Sequence, residues 1–592
     1  MAHTVINTCP SRDPYRLGRS CINLFFGGGR VPWAVVAALT TALWTFTGPM
    51  TSRASGDSTV PQAPAASGAA PAPSPGGGAS SPSTTLPPPA ADHGEFDVII
   101  NAGMLPDLRW PNFTDYRSYV KAFYETGGYA LAWTAGGRPT PQAQGMIQQF
   151  KQAQLKGLNP EDYDASRWDG RLAKLAPSAP NPSQTDLIHF DLAMTVLAMR
   201  FASDLHIGRI NPQHFKFALG AGPEKLDLPN FVRNRLLSTP DVAATITSIE
   251  RPYGGYRRAE AALANYLKLA TQGDGQPVPT PQKSLRPGQT FSGMPQLVSR
   301  LHQLGDLTSI DDPATQGVVY QGVVVDAVKH FQTRHGMEPD GVLGKSTIAE
   351  INRPLSERVI QLQLALERYR WLPLDFPQPP ILVNIPEFRL RTLRRAEGGF
   401  LTMNVVVGKA YRHKTPVFAD EMRYVIFHPY WNVPPSIANA ELFPKGSTYL
   451  ASHGFEVVDG QIRQRPGPRN ALGPVKFVFP NSYNVYLHGT PAVTLFSRAR
   501  RDFSHGCIRV EDPAALAAWV LRDKPGWTPD RIRAVIKGSE TIQVNLDKPI
   551  PVLILYSTAV VEPDGEVRFF DDIYGYDYEL EKALAAGYPY SS

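Results

Sequence analysis

The hydrophobic period of this chain changes once, at Ile381, and no single domain accommodates the change. Upstream, apolar residues recur at helical spacing. Leu187, Phe190, Met194, Leu197 and Phe201 make one face over Asp186 to Leu205, and Tyr256 to Leu269 repeats the pattern. Downstream they alternate: Ile381-Leu382-Val383-Asn384-Ile385 and Phe388-Arg389-Leu390-Arg391-Thr392-Leu393 flank a two-residue turn, and Met403 to Val407 follows. Further strands are predicted at 424–427, 483–487 and 550–556. One helix is marked at 513, where Asp512 is an N-cap and Pro513 takes the first helical position. With 592 residues there is room for three or four domains. The fold class read from this pattern is multidomain α+β. A helical scaffold at 94–280 precedes a small three-helix unit at 281–354 and a connecting helix within 355–380. A mainly β domain fills 381–592. Residues 436–473 carry Pro, Gly and Arg with little periodicity and read as a long insertion between strands, a candidate lid or binding wall.

The N-terminal 93 residues have another character. Residues 1–30 hold Arg12, Arg16, Arg19 and Arg30 against Asp13, a short cytoplasmic segment in this reading. Val31 to Met50 carries no charge and includes Trp33 and Trp44, and at a helical rise it approaches the ~30 Å hydrocarbon core of a membrane. Basic residues before it, with Arg53 soon after, predict an N-terminus inside and the remainder outside. A cleaved signal sequence is the competing reading, and both export the chain. Residues 51–93, rich in Pro, Ala, Ser, Gly and Thr, read as a semi-extended spacer. The expected location is the periplasm, tethered to the inner membrane.

Net charge is +6 without a run of Lys or Arg, so nucleic acid is not an expected partner. There are three cysteines, and Cys9 and Cys21 precede the apolar run. Outside, Cys507 stands alone, which excludes an intramolecular disulfide scaffold and a multi-cysteine metal site there. The histidines lack the clustered spacing of a zinc site. Ser118-Tyr119-Val120-Lys121 matches a serine acyl-transfer string, but its companion motifs are absent.

The chemistry gathers around that cysteine. Tyr486-Leu487-His488-Gly489-Thr490 closes a strand, and Ser504-His505-Gly506-Cys507-Ile508-Arg509 follows sixteen residues after His488. A thiol needs a base or cation beside it to act as a nucleophile at neutral pH. Both His488, brought across by a hairpin, and His505, two residues away along a strand, are candidate bases. Gly506 admits close backbone approach, and the N–H groups of Gly506 and Cys507 are candidates for an oxyanion site.

Two resemblances follow from these strings. Ala327-Val328-Lys329-His330-Phe331-Gln332, Asp340-Gly341-Val342-Leu343-Gly344 and Thr347 resemble the three-helix peptidoglycan-binding module. The His488 and Ser504–Cys507 strings resemble the L,D-transpeptidase (YkuD-type) catalytic domain, as do His428-Pro429-Tyr430-Trp431-Asn432-Val433-Pro434 and the run from Pro466 to Gly473. The likeness is to the large Gram-negative members. It implies Cys507 as nucleophile and His488 as base, the Gly489 carbonyl orienting the imidazole, and His505 with Gly506 shaping the oxyanion site. Arg509 stands where the family often has asparagine, and with Trp431, Tyr486, Thr490 and Ser504 it is expected to line the substrate. The implied reaction is release of D-Ala from a tetrapeptide stem through a thioester, then 3→3 cross-linking, with no metal or organic cofactor. The implied partners are peptidoglycan stem peptides and glycan, with cell-wall synthesis or lipoprotein partners besides. Rival outcomes of the same site are L,D-carboxypeptidase action, D-amino-acid exchange and lipoprotein attachment. A non-catalytic wall-binding adaptor is the reading from another class.

Overall fold

In the computed structural model, residues 93–177, 182–220, 224–392 and 401–588 are described. The predicted cytoplasmic segment, apolar span and nearly all of the spacer lie outside them. No helix among the described residues is long and apolar enough to cross a membrane.

The helical domain is built around α1 (Gln184–Ile207), whose N-terminus is capped by Ser183 Oγ accepting from the Asp186 N–H at 3.1 Å. The expected single apolar face is an underestimate. Phe190 through Ala202 are buried without a break, so α1 is the central post of its domain. It carries a polar group inside. Asp191 accepts from the Tyr124 hydroxyl at 2.7 Å and from the Ala132 and Trp133 N–H groups at 2.8 Å each. Burial raises that carboxyl to about 6. Asp204 and His206 are likewise engaged: Asp204 accepts from Tyr163, and the His206 nitrogens face the carbonyls of Ile249 and Glu224. Ser118 and Lys121 sit on an exposed helix face, where Lys121 pairs with Glu125.

The small unit has three longer helices, α3 (Met294–Leu304), α4 (Val323–Arg334) and α5 (Lys345–Ile351), around Leu297, Leu301, Val328, Phe331 and Ile348. Its motif residues hold one another. Gln332 donates to Asp340 Oδ1 at 2.9 Å and accepts from the Gly341 N–H at 2.8 Å, while Thr347 donates to the Val342 carbonyl. The connecting helix α6 (Leu355–Arg370) packs on α2 (Gly254–Gln272), and both share a core with Ala559, Val561 and Phe569.

The β domain is a mixed sheet whose strands are β1 (Ile381–Asn384), β2 (Arg389–Thr392), β3 (Thr402–Gly408), β4 (Phe418–Phe427), β5 (Val475–Val478), β6 (Leu487–His488), β7 (Asp502–Ser504), β8 (Ile508–Val510) and β9 (Ile542–Leu555). Their order is β7-β3-β8-β6-β5-β4-β9-β1-β2, and β2 also pairs with β3, so the sheet closes on itself. Closure removes the open edges that a sheet of this size would otherwise present. The strand expected at 483–487 is reduced to Leu487 and His488. Asn481 is the reason: its side chain donates to the Phe479 and Val485 carbonyls and accepts from the Tyr483 and Val485 N–H groups, folding that stretch into a turn.

The insertion is more ordered than its sequence suggested. Trp431–Asn432, Gln461–Gln464 and Phe455–Val458 form a three-stranded sheet, and Val433, Ala438, Leu442 and Ile462 make its own small core.

Candidate active site

His488 ends β6 and Cys507 directly precedes the neighbouring strand β8, but the two strands do not form a hairpin. β6 and β8 run parallel, with Leu487 opposite Ile508 and His488 opposite Arg509. Side chains alternate along a strand, so Tyr486, His488, Cys507 and Arg509 share one face. The offset from His488 to Cys507 is one strand across and two residues along, about 8 Å between Cα atoms from a ~4.8 Å strand spacing and a ~3.3 Å rise. An imidazole spans most of that gap. Cys507 is half-buried, and its thiol donates to the Asn484 carbonyl at 3.7 Å.

The tautomer of His488 is fixed from behind. Its Nδ1 lies 2.5 Å from the Gly489 carbonyl, a contact in which Nδ1–H donates, and the Leu472 carbonyl is a second backbone partner of the ring. The backbone that offers this carbonyl is tightly seated. Gly473 has φ +63, and a Cβ there would meet Thr490 N at 2.5 Å and Gly489 C at 2.7 Å. Only glycine fits. Asn470 fixes the same loop by donating to the carbonyls of Pro429 and Arg465 and accepting from the Leu472 N–H at 2.8 Å. The two family-like runs around Trp431 and Gly473 are therefore tied together by one buried amide.

The charge state of the pair follows from burial. His488 is 5% exposed, and burial first, then the Arg509 and Lys476 cations, push it down to about 3. Burial also raises the Cys507 thiol, against the opposing pull of Tyr486, Lys476 and Arg509. Both shifts favour a neutral imidazole and a neutral thiol in the resting site. The proton moves when the sulfur attacks. The Tyr486 hydroxyl lies in hydrogen-bonding reach of the sulfur and is itself approached by Trp431, which brings the insertion to the nucleophile.

The loop before Cys507 is held by partners outside the motif. Gly506 adopts φ +116, which favours glycine. Its carbonyl accepts from Thr415 Oγ1 at 2.8 Å, and Thr415 Oγ1 in turn accepts from the Gly408 N–H at 2.8 Å. The Gly506 N–H is donated to Ser504 Oγ at 3.1 Å. This bears on two expectations. Ser504, at 2% exposure, braces the loop from within. The Gly506 N–H is occupied, while the Cys507 N–H makes no backbone hydrogen bond among the described residues and remains the better oxyanion donor. His505 points elsewhere: its Nε2 lies 2.6 Å from Glu441 Oε1 on the insertion, and its ring is 4.8 Å from that of His413. Thr490 accepts from the Ala492 N–H at 3.2 Å and turns the chain after β6.

Sequence reasoning missed Lys476. Lys476 lies opposite His488 across β5 and β6, and its Nζ is 3.9 Å from the centroid of the Tyr486 ring. Its one signal was a charge inside Val475-Lys476-Phe477-Val478, which an alternating strand normally explains by solvent exposure. Thr415 gave no signal at all, and Asn470 stood inside the family-like run from Pro466 to Gly473 without a role of its own.

Comparison with known proteins bears on this geometry. Residues 379–541, which include all ten of the site residues expected from the sequence, match the family described as "L,D-transpeptidase catalytic domain". Residues 118–263 match a "Scaffold domain" and residues 292–351 a "Putative peptidoglycan binding domain". A protein of Haemophilus influenzae named "Putative L,D-transpeptidase" is 33% identical over 247 residues, covering 38% of this chain and 49% of that protein. The chain thus spans about half the length of that relative. A crystal structure of an L,D-transpeptidase (Yku) from Stackebrandtia nassauensis aligns with 47% of this chain and 97% of that chain, at 15% identity and a TM-score of 0.19.

Proposed function

We propose that this chain, which carries an L,D-transpeptidase catalytic domain and a peptidoglycan-binding domain, forms 3→3 cross-links between peptidoglycan stems through a thioester on Cys507. The observation that supports the reading most is the parallel β6–β8 pair, which sets a buried imidazole, its Nδ1 held by the Gly489 carbonyl, beside the half-buried Cys507. His488 Nε2 takes the thiol proton as the sulfur attacks the carbonyl of the L-centred third residue of a tetrapeptide stem. The oxyanion that forms is met by the Cys507 N–H. Collapse breaks the peptide bond, His488 returns the proton to the departing D-Ala amine, and a thioester remains. The side-chain amine of a second stem then attacks the thioester carbon, an amide forms, and the sulfur leaves as the thiol.

Water would give a tripeptide instead. The insertion, whose Glu441 meets His505, and Trp431, which pairs with the insertion at Gln464 and reaches Tyr486, cover the approach to the nucleophile and favour the amine. Incubating the protein with purified disaccharide-tetrapeptide and weighing the products decides the acceptor. Cross-linked dimer is the expected product, and tripeptide alone would assign a carboxypeptidase.

The same reading places the described domains in the periplasm, held by residues 31–50. Protease added to spheroplasts should digest the catalytic domain. Digestion that requires lysis would overturn this placement.

A further inference from the structure

Lys476, His488 and Arg509 stand in one row. β5 pairs Lys476 with His488 and β8 pairs Arg509 with the same histidine, so three basic side chains lie abreast on the face that carries Cys507. Some buried cations near this face are matched by carboxylates, while Arg501 is held by the carbonyls of Val405, Arg498 and Phe388 and by Asn404 Oδ1. Arg391 meets Glu387 and Glu562, and Arg368 of the connecting helix meets Asp577. Neither Lys476 nor Arg509 has a carboxylate partner among the described residues. Arg509 Nε is also buried without any hydrogen-bond partner. Lys476 and Arg509 are both half-buried, and positive charge drawn partly out of water costs free energy that an anion would offset. A neutral thiol does not supply that anion.

We infer that Lys476 and Arg509 form a receptor for the terminal carboxylate of the donor stem, so that the enzyme selects stems ending at the residue it releases. The inference rests on the acyl-transfer reading above and deepens it. The spacing fits. Arg509 lies two residues along the strand from Cys507, about 6.6 Å, and Lys476 lies level with it two strands over, about 9.6 Å to the side, from where its long side chain reaches back over the Tyr486 ring. Attack begins with sulfur and carbonyl carbon about 3–3.5 Å apart, and one extended residue carries the chain a further ~3.3–3.6 Å. A stem with one residue beyond the scissile bond therefore brings its carboxylate to the two cations. A stem with two residues brings a neutral amide there and carries its charge past them. The Tyr486 ring beneath the Lys476 ammonium holds the cation at that point.

The test uses the full chain and three synthetic tetrapeptide donors: the free acid, the terminal carboxamide, and a donor with free terminus whose diaminopimelate side-chain carboxyl is amidated. Acylation of Cys507 is followed by intact mass in the wild type, Lys476→Met and Lys476→Arg. The wild type should prefer the free acid over the terminal carboxamide by about 10–100-fold, most of it in KM, since a lost charge-assisted contact is of that order. Amidation of the side chain should cost little. Lys476→Met should shrink the preference to about threefold or less, and Lys476→Arg should restore most of it. If Lys476→Met shifts the pH profile of Cys507 alkylation but leaves the preference intact, Lys476 serves the sulfur alone and the inference is wrong. A preference that follows the side-chain carboxyl overturns it equally. Should all three donors acylate the wild type alike, the receptor falls while acyl transfer stands. Should none acylate it, acyl transfer itself falls and takes the receptor with it.

Discussion

Cys507→Ala should abolish both the acyl-enzyme and the cross-linked product, and His488→Gln should slow acylation by about 10²–10⁴-fold, the usual worth of a positioned general base. His505→Gln should cost much less, because that ring is turned to Glu441 and away from proton transfer. The pH dependence distinguishes this arrangement from a preformed ion pair. His488 is held down to about 3 by burial and by the Arg509 and Lys476 cations. Its base function therefore does not fail as pH falls through the ordinary imidazole range, and kcat/KM should stay level from about pH 8 to about pH 5. The thiol is displaced the other way. Burial lifts it above 9.0, so alkylation of the free enzyme should still be climbing at pH 9. The linkage sign for folding is equally definite. Between pH 6.5 and about 3 the unfolded histidine binds a proton that the folded one refuses, so His488 makes the fold less stable as pH falls through that window. An acid limb in kcat/KM near pH 6.5, or a His488→Gln enzyme with more than about a tenth of wild-type acylation, would sink the assignment.

What the sequence disclosed, and what it hid, divides along the range of the interactions. Local signals held. Asp512 caps the helix at 513, its Oδ1 accepting from the Ala515 N–H at 2.9 Å, and β1 turns into β2 where the alternation broke, though through the four residues 385–388 and not the two expected. The string around Cys507 and the histidine upstream were legible because a nucleophile and its base are rare residue types. Their relation was not. A hairpin seemed the simplest way to join them, whereas the strands run parallel, and parallel pairing requires a crossover whose path no local residue announces. The insertion was misread for a related reason. A core of four buried residues is too small to impose a period on about forty positions. The row of Lys476, His488 and Arg509 exists only in the register of three strands, and register is set by pairing across the sheet, not by spacing along the chain.

The same argument gives the largest expected effect on stability, far from the sulfur. Glu367→Ala should destabilise the fold by about 3–5 kcal/mol, the cost of stripping one partner from a buried ionic network. Glu367, 2% exposed on α6, accepts from the Arg209 N–H at 2.6 Å and the Ile210 N–H at 2.9 Å, and Arg370 lies against it at 3.4 Å. The two amides belong to the chain leaving α1, just after Gly208, whose φ of +85 and lack of a Cβ let the backbone come that close. From there Ile210, Phe217 and Leu219 enter the core of the β domain, and the Ala218 N–H donates to the Val417 carbonyl at 3.1 Å beside β4. Glu367 is thus the anchor at which the helical domain hands its chain to the sheet. Glu367→Gln retains an acceptor and should cost less than half as much. Two measurements separate this from chemistry. Chemical denaturation should report the loss, and hydrogen exchange at Arg209 and Ile210 should accelerate, while acylation of Cys507 per folded molecule stays near the wild-type value at low temperature. Unchanged exchange at those amides would mean that the carboxylate holds nothing there, and that the two domains are joined by apolar packing alone.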